Sequence, residues 1–271
     1  LESSKGNRRV AGMVSQGRGA LDHACSPATD NMKILMTGGS GLLGREILKA
    51  DPAIIAPPHT EFDITDSDSI ARAIATYRPD VLLHLAAATK PPEHEKNPEP
   101  GLSVNIIGTA QIARACAKTG VRLVYTSTDY VYVGPGPHKE EEALHSPYKF
   151  GWSKLGGECA ARLVDNSLIL RLSFGPAPFP WEKVYADQYN SKLYVDEMAP
   201  LIVRAAQSQA TGVMNLGGPR TTLEEYARRT RPDIETIPRP DWAPQDTSLD
   251  ITRMKKELGI ADEYGLLKHS T

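Results

Sequence analysis

Short apolar runs alternate with amphipathic segments from Met32 onward, and this alternation constrains the fold more than any other feature of the sequence. Residues 33–37 (KILMT) form an apolar run that leads into a glycine-rich turn, and residues 81–87 (VLLHLAA) are almost continuously apolar. Continuous apolar runs are typical of parallel strands that are covered on both faces by helices. Repeated strand–helix units of this length predict an α/β fold, with a Rossmann-type doubly wound parallel sheet.

The regularity of this pattern divides the chain into three parts. Residues 1–31 mix Gly, Ser and Arg without a sustained apolar period, which indicates a disordered extension or a non-native leader. Residues 32–172 carry the regular units and a strand–glycine turn–helix start of the kind that binds dinucleotides, and are predicted to form an NAD(P)-binding Rossmann domain. Residues 173–271 are less regular and are expected to form mainly a small C-terminal substrate lobe, with strand 212–218 returning to the sheet.

Composition excludes several classes of function. The formal net charge of −2 gives no electrostatic reason to expect a nucleic-acid partner or an anionic membrane surface. No run in the sequence reaches the roughly 20 apolar residues that are needed to span a bilayer. Cys25, Cys116 and Cys159 are widely spaced, which favours reduced thiols in the cytoplasm over a disulfide framework. The histidines show no spacing suited to a metal, so no metal site is expected.

The glycine turn, residues 37–44 (TGGSGLLG), carries the clearest chemical signal. Glycines in the spacing G-x-x-G-x-x-G, between a strand and a helix, let the backbone approach a pyrophosphate closely. The helix N-terminus that follows such a turn favours the negative charge of the phosphates. The residues predicted to bind a dinucleotide here are Gly38, Gly41, Leu42, Leu43 and Gly44.

The residue that would distinguish NAD from NADP is missing from its expected place. An acidic residue at the end of the second strand contacts the adenosine ribose 2′-hydroxyl in such folds, and an arginine accommodates a 2′-phosphate. Here Pro57 and Pro58 follow the run 53–56 (AIIA), and no arginine stands beside them. The sequence therefore predicts NADP or NAD as the cofactor and leaves the choice open.

Several further segments, taken together, resemble one protein family. They are TGGSGLLG (37–44), FDITD (62–66), RPDVLLHLAA (78–87), VN (104–105), STDYVY (127–132), SKLGGE (153–158) and DTSLDITRMKKELGI (246–260). Their order and intervals resemble the extended short-chain dehydrogenase/reductase family, and within it the dTDP-4-dehydrorhamnose reductase branch. The likeness runs from about Met32 to Ile260, and STDYVY is its most discriminating element.

The resemblance implies roles for individual residues. Thr128 would hydrogen-bond the substrate carbonyl that accepts hydride, and Lys154 would hold the nicotinamide ribose. Asp129 and Tyr130 would face the sugar, while Asn105 would be a structural or water-holding residue near the active site. The remaining cofactor contacts that it implies are Asp63 and Ile64 beside the adenine, and Ala86 and Ala87 along the dinucleotide path.

One expected catalytic group is absent. In the family a tyrosine one helical turn before the lysine protonates the alkoxide, but Phe150 fills that slot here. Loss of a general acid typically lowers the rate by about 10²- to 10⁴-fold. Tyr130 is the preferred replacement donor, because STDY already brings it to the sugar pocket. Tyr148 and a water bound by Thr128 remain open as alternatives.

Functions from different classes are therefore compatible with the sequence. The first is an NAD(P)-dependent reductase of a nucleotide-linked 4-keto-6-deoxy sugar, with an altered proton donor. The second is a non-redox NAD(P)-binding regulatory protein similar to the beta subunit of methionine adenosyltransferase. A third is a sugar-nucleotide epimerase. The expected partner is a nucleotide-sugar substrate, and members of the family often form homodimers.

Overall fold

The computed structural model describes residues 32–262 and 264–269, so the expectations for residues 1–31 lie outside the described residues. In these residues the strands are β1 (Ile34–Thr37), β2 (Val81–His84), β3 (Arg122–Thr126), β4 (Leu168–Leu172), β5 (Phe174–Gly175), β6 (Lys183–Tyr185), β7 (Tyr189–Asn190), β8 (Leu193–Tyr194), β9 (Gly212–Leu216), β10 (Thr221–Thr222) and β11 (Glu235–Ile237). The α-helices are α1 (Leu42–Ala50), α2 (Ser67–Tyr77), α3 (Pro91–Lys96), α4 (Thr109–Thr119), α5 (Lys149–Ala161), α6 (Val195–Gln207), α7 (Leu223–Arg228) and α8 (Thr252–Glu257). A π-helix (Gly101–Gly108) precedes α4, and 3₁₀ turns lie at Asp129–Val131 and Tyr264–Leu266.

A parallel sheet in the order β1-β2-β3-β4-β9 forms the centre of the molecule and confirms the predicted α/β class. The predicted strand at 53–56 is reduced to a parallel bridge between Ile55 and Leu35, on the side of β1 away from β2. Pro57 and Pro58 follow it directly, and proline cannot donate to a strand ladder. The chain thus leaves β1 on one side and returns on the other, which places a topological switch point at the carboxyl end of β1.

Two apolar cores lie on the two faces of this sheet. Successive strand residues point to opposite faces, so Ile34 and Met36 belong to one core and Leu35 to the other. Helices α1 and α6 pack together on the first face, and α2, α4 and α5 cover the second. The sheet is thereby buried on both sides, as its apolar runs predict.

The segment after β4 has a mixed architecture. Strand β9 belongs to the sheet, paired in parallel to β4, and helix α6 packs in the core on one face of that sheet. A separate small core lies between them and the cleft, formed by Phe179, Val184, Tyr194, Tyr226, Ala227 and Ile234. We call the residues around this core, 174–194 and 221–237, the lobe. No helix in the described ranges is long and apolar enough to cross a membrane.

Candidate active site

The geometry of the glycine turn requires glycine. Gly38 has a φ of +78°, and a Cβ on it would lie 2.8 Å from the backbone nitrogen of Ala86. A Cβ on Gly44 would overlap the carbonyl oxygen of Gly38, so α1 could not approach the turn. The amide of Gly41 closes the turn by donating to the Gly38 carbonyl at 3.0 Å. The turn, the end of β2 and the start of α1 are therefore in backbone contact.

The N-terminus of α1 is suited to an anion. Its N-cap residue, Gly41, offers no side chain to the first amides of the helix, and the first turn carries no acidic residue. The first amides of a helix have no partner within the helix and carry a partial positive charge. Leu42 is 38% exposed at this point, so the amides face the cleft. This cradle fits the pyrophosphate of a dinucleotide.

A cleft of about 2110 Å³ extends from the glycine turn, along the carboxyl ends of the strands, to the lobe. Most residues predicted for the site line it, including Ile64, Ala86 and Ala87. The exceptions among them are Asp63 and Asn105. The cleft therefore brings the predicted dinucleotide contacts and the predicted catalytic residues into one cavity, at the switch point where α/β folds bind ligands.

Asp63 stabilises a turn. Its Oδ1 accepts the backbone amide of Thr65 at 2.8 Å and the hydroxyl of Thr65 at 2.7 Å. These hydrogen bonds favour the carboxylate and lower the pKa of Asp63. Its neighbour Ile64, for which the resemblance also implies a place beside the adenine, is buried and lines the cleft.

Asn105 joins two segments of the site. It is 1% exposed; its Oδ1 accepts the Ala88 amide at 2.8 Å, and its Nδ2 donates to the Ala88 carbonyl at 3.0 Å and to Ser153 Oγ at 2.9 Å. Ala88 follows β2, and Ser153 lies next to Lys154 on α5. Asn105 therefore fixes α5 against the loop after β2, which is the structural role of the two that the resemblance implies.

Lys154 has an unusual environment for a lysine. It is 4% exposed, and its ammonium lies 4.4 Å from the ring centroid of Tyr125, whose hydroxyl donates to the Lys154 carbonyl at 3.0 Å. Burial lowers the pKa of Lys154 to about 7, although the charge of Glu158 acts in the opposite direction. The Glu158 carboxylate is itself held by Arg171 at 2.5 Å and by Arg162 at 2.9 Å. Arg171 thus has a structural role behind the site.

His84 is a buried residue that sequence reasoning missed. Its Nδ1 lies 2.8 Å from Thr37 Oγ1, and its Nε2 lies 3.0 Å from Thr109 Oγ1. Thr37 Oγ1 already accepts two backbone amides, so its hydrogen is directed to Nδ1 and the Nε2 atom carries the proton. Burial and the charge of Lys154 lower the pKa of His84 to about 3, so the ring is neutral. The sequence signal that could have identified His84 is its place as a histidine inside the apolar run 81–87.

Phe150 occupies the slot of the missing phenol. It is 8% exposed, lines the cleft, and lies one turn before Lys154 on α5. Its ring is edge-on to His94, with centroids 5.5 Å apart, and to Tyr130, with centroids 6.4 Å apart. The slot is therefore filled by a packed hydrocarbon ring that can neither donate nor accept a proton.

The two tyrosines considered as replacement donors differ in orientation. Tyr148 is the N-cap residue of α5, and its hydroxyl donates to the Trp242 carbonyl at 2.5 Å, which directs it to the far side of the cleft. Tyr130 lies beside Tyr148, with ring centroids 5.5 Å apart. Burial raises the pKa of Tyr130 and makes it a weaker acid than a free phenol. The geometry thus gives neither phenol the acidity that the family mechanism requires.

Thr128 and Asp129 lie at the end of β3, where the sequence predicts the reacting groups. Thr128 Oγ1 is 3.1 Å from Asp129 Oδ1 and accepts the amide of Tyr130 at 3.2 Å. Burial raises the pKa of Asp129, whereas the charge of Lys192 and hydrogen bonds from Thr247 and Thr128 lower it less. Lys192 comes from the lobe, between β7 and β8, and sequence reasoning missed it because no regular pattern marks this segment.

The fold is that of the extended short-chain dehydrogenase/reductase class. The family model described as the RmlD substrate binding domain matches residues 32–175. The chain therefore belongs to the RmlD family within that class, as the motifs predict.

Known relatives extend the comparison. The chain is 35% identical, over 148 residues, to a dTDP-4-dehydrorhamnose reductase of Streptomyces griseus, covering 52% of this chain and 49% of that protein. It is 31% identical, over 157 residues, to the methionine adenosyltransferase 2 subunit beta of Bos taurus, covering 52% and 46%. The matches thus span about half the length of these relatives.

A solved structure shares the fold over almost its whole length. The crystal structure of dTDP-4-dehydrorhamnose reductase from Bacillus anthracis str. Ames, in complex with NADP, matches with a TM-score of 0.77 and 23% identity. The match covers 87% of this chain and 97% of that chain. At this identity the likeness shows the common fold.

Proposed function

We propose that this protein is an NAD(P)-dependent reductase of a nucleotide-linked 4-keto-6-deoxy sugar, similar to dTDP-4-dehydrorhamnose reductase. The observation that carries the proposal is the single cleft that joins the glycine turn to Thr128 and Lys154. The name of the Streptomyces griseus relative and the NADP in the Bacillus anthracis structure support the same reaction and cofactor.

The residues present fit a nicotinamide dinucleotide. The amides of the glycine turn and of α1 would hold its pyrophosphate, and Ala86 and Ala87 would line its path. Lys154 would reach the nicotinamide ribose, while Thr128 would orient the substrate carbonyl. The reduced nicotinamide supplies the hydride for this chemistry. Since Pro57 and Pro58 place no carboxylate at the adenosine ribose, the proposal includes both NADP and NAD.

The lobe supplies the proposed substrate face of the cleft. Trp181 is 55% exposed and lines the cleft beside Phe179, with ring centroids 5.0 Å apart. An exposed aromatic side chain in a cleft offers a stacking surface for a nucleotide base or a sugar ring. Residues 173–271 would thus contribute the substrate contacts.

The family resemblance also implies a homodimer, which light scattering in solution would test.

A second candidate is a non-redox NAD(P)-binding regulatory protein. Phe150 favours it, because the usual proton donor is absent, and the bovine relative is by name a subunit of methionine adenosyltransferase. A sugar-nucleotide epimerase would retain the same cofactor but show no net oxidation of it. Of the three functions, only the reductase predicts net oxidation of the reduced cofactor, and the epimerase differs from the regulatory protein by changing the sugar.

Calorimetry followed by a turnover assay separates these functions. The purified protein is titrated with NADH and NADPH, and then offered dTDP-4-dehydrorhamnose while the absorbance of the reduced nicotinamide is followed. Binding with substrate-dependent oxidation is the expected result. Binding without oxidation, across several keto-sugar nucleotides, would favour the regulatory role if the sugar nucleotides are recovered unchanged, and the epimerase if their configuration has changed. Failure to bind either dinucleotide would refute the whole proposal.

A further inference from the structure

A reductase with Phe150 needs another source for the proton that completes its alcohol product. The acid must reach Thr128, because Thr128 is the residue proposed to contact the substrate carbonyl. Asp129 is such an acid: its Oδ1 lies 3.1 Å from Thr128 Oγ1, and the side chain borders the cleft.

We propose that Asp129, as a neutral carboxylic acid, supplies the proton through the Thr128 hydroxyl and takes over the role of the phenol that Phe150 removes. This proposal rests on the reductase function proposed above. It assigns Thr128 the direct contact with the reacting oxygen, and Asp129 the role of the proton source behind it.

The hydrogen-bond inventory of Thr128 shows why this route requires the neutral form of Asp129. A threonine hydroxyl has one hydrogen to donate and two lone pairs that accept. One lone pair already accepts the amide of Tyr130. If Asp129 is ionised, Thr128 must donate its only hydrogen to the carboxylate and has none for a substrate. If Asp129 is protonated, it donates to the second lone pair, and the Thr128 hydrogen is free for the substrate carbonyl.

The surroundings of Asp129 favour its protonated form before the reaction and stabilise its carboxylate after the proton has left. The residue is 3% exposed, and burial disfavours its charged form and raises its pKa. Lys192 is half-buried on the facing lobe, and its ammonium interacts electrostatically with Asp129. In the described ranges no carboxylate lies within salt-bridge distance of this ammonium. The other ionisable group facing Asp129 is the Tyr130 phenol, which stays neutral. Lys192 is thus placed to stabilise the carboxylate once the proton has left.

The proton and electron balance of the step is complete. Hydride adds with its electron pair to the carbonyl carbon, and the carbonyl π electrons move to oxygen. That oxygen bonds to the hydrogen of Thr128 as the Thr128 O–H bond breaks, and Thr128 Oγ1 takes the proton of Asp129. The site is left with an alcohol, the oxidised dinucleotide and an Asp129 carboxylate, which regains a proton from water after the product leaves.

Infrared spectroscopy of the cofactor-free protein tests the protonation state without any turnover. The wild type should show the carbonyl stretch of a neutral carboxylic acid at about pH 6, well above the usual carboxyl pKa, and Asp129→Asn should lack it. Lys192→Met removes a charge that lowers the pKa of Asp129, so the band should persist to higher pH. Absence of an Asp129-dependent band at this pH would refute the proposal.

Kinetics with dTDP-4-dehydrorhamnose test the route itself. Asp129→Asn should lower kcat by about 10²- to 10⁴-fold, as expected for loss of a general acid, while calorimetric binding of the dinucleotide stays close to wild type. Phe150→Tyr restores the phenol, so Asp129→Asn in that background should recover most of the activity. An equal loss in both backgrounds would show a structural role for Asp129 and overturn the proposal.

The outcomes also separate this proposal from the proposed function. A wild type without turnover beside an active Phe150→Tyr variant would refute the Asp129 route and leave the reductase site intact. If neither variant turns over although both bind the dinucleotide, the reductase function fails together with the route.

Discussion

Replacement of Lys154 by methionine should stabilise the cofactor-free protein, by an amount that depends on pH. The pKa of Lys154 is about 7 in the folded protein, against 10.5 for an ordinary lysine. Each pH unit of difference corresponds to about 1.4 kcal/mol. Holding the charged lysine in the fold below pH 7 therefore costs about 5 kcal/mol, relative to the unfolded chain.

The sign of the pH dependence follows from proton binding. Between about pH 7 and pH 10 the unfolded chain keeps the proton on Lys154 and the folded protein releases it, so wild-type stability rises with pH through this group. The advantage of Lys154→Met should be largest below pH 7 and should shrink by about 1.4 kcal/mol for each pH unit above it. The lost contact with the Tyr125 ring lowers the absolute advantage but leaves this slope unchanged.

Urea unfolding curves at about pH 6, 7, 8 and 9 measure this difference directly. Lys118→Met is the matched control, because Lys118 is an exposed lysine on α4 and its replacement should shift stability equally at each pH. Parallel pH profiles for wild type and Lys154→Met would refute the argument that burial lowers the pKa of Lys154.

Three further outcomes are expected. Gly44→Ala should weaken dinucleotide binding by at least about tenfold in calorimetry, or about 1.4 kcal/mol, because the added methyl group overlaps the Gly38 carbonyl oxygen. Arg171→Met should lower the free energy of unfolding by about 3 kcal/mol in denaturant titrations, since the buried Glu158 carboxylate loses its buried cation and keeps Arg162 and the Ser127 hydroxyl as partners. The Arg171→Met/Glu158→Gln double variant should lose less. Tyr148→Phe should change kcat far less than the roughly 10²-fold typical of a lost general acid, because the Tyr148 hydroxyl already donates to Trp242; a loss of that size would identify Tyr148 as the donor.

The parts of the structure that local chemistry determines could be predicted from the sequence. The glycine turn is required by steric contacts between residues close in the chain, and the apolar runs set the strands of a covered parallel sheet. The returning strand near 212–218 was also recognisable, and it forms β9 at Gly212–Leu216. The prediction of a full strand at 53–56 was wrong, because the prolines around this run restrict its pairing to the Ile55 bridge.

The electrostatics of the site depend on contacts between distant residues, which no local pattern reveals. Lys192 approaches Asp129 from another segment, 63 positions further along the chain, and its charge partly offsets the burial that raises the pKa of Asp129. Asn105 could be a structural or a water-holding residue by resemblance, and its bonds to Ala88 and Ser153, which join two distant segments, could not be read from the sequence. The shared feature is that burial, not residue type, determines what each polar group does.

Phe150 connects the stability of the site with its chemistry. A phenol at this position, one turn from Lys154, would offer the ammonium an oxygen acceptor and would gain acidity from it. With a hydrocarbon ring there, the Lys154 ammonium faces, among the residues that the structure describes, the Tyr125 ring and the charge of Glu158, so its burial is poorly compensated. The same replacement removes the acid that the alkoxide needs. A low lysine pKa and a proton source moved to the end of β3 are therefore two consequences of one side chain, and Phe150→Tyr should reverse both together.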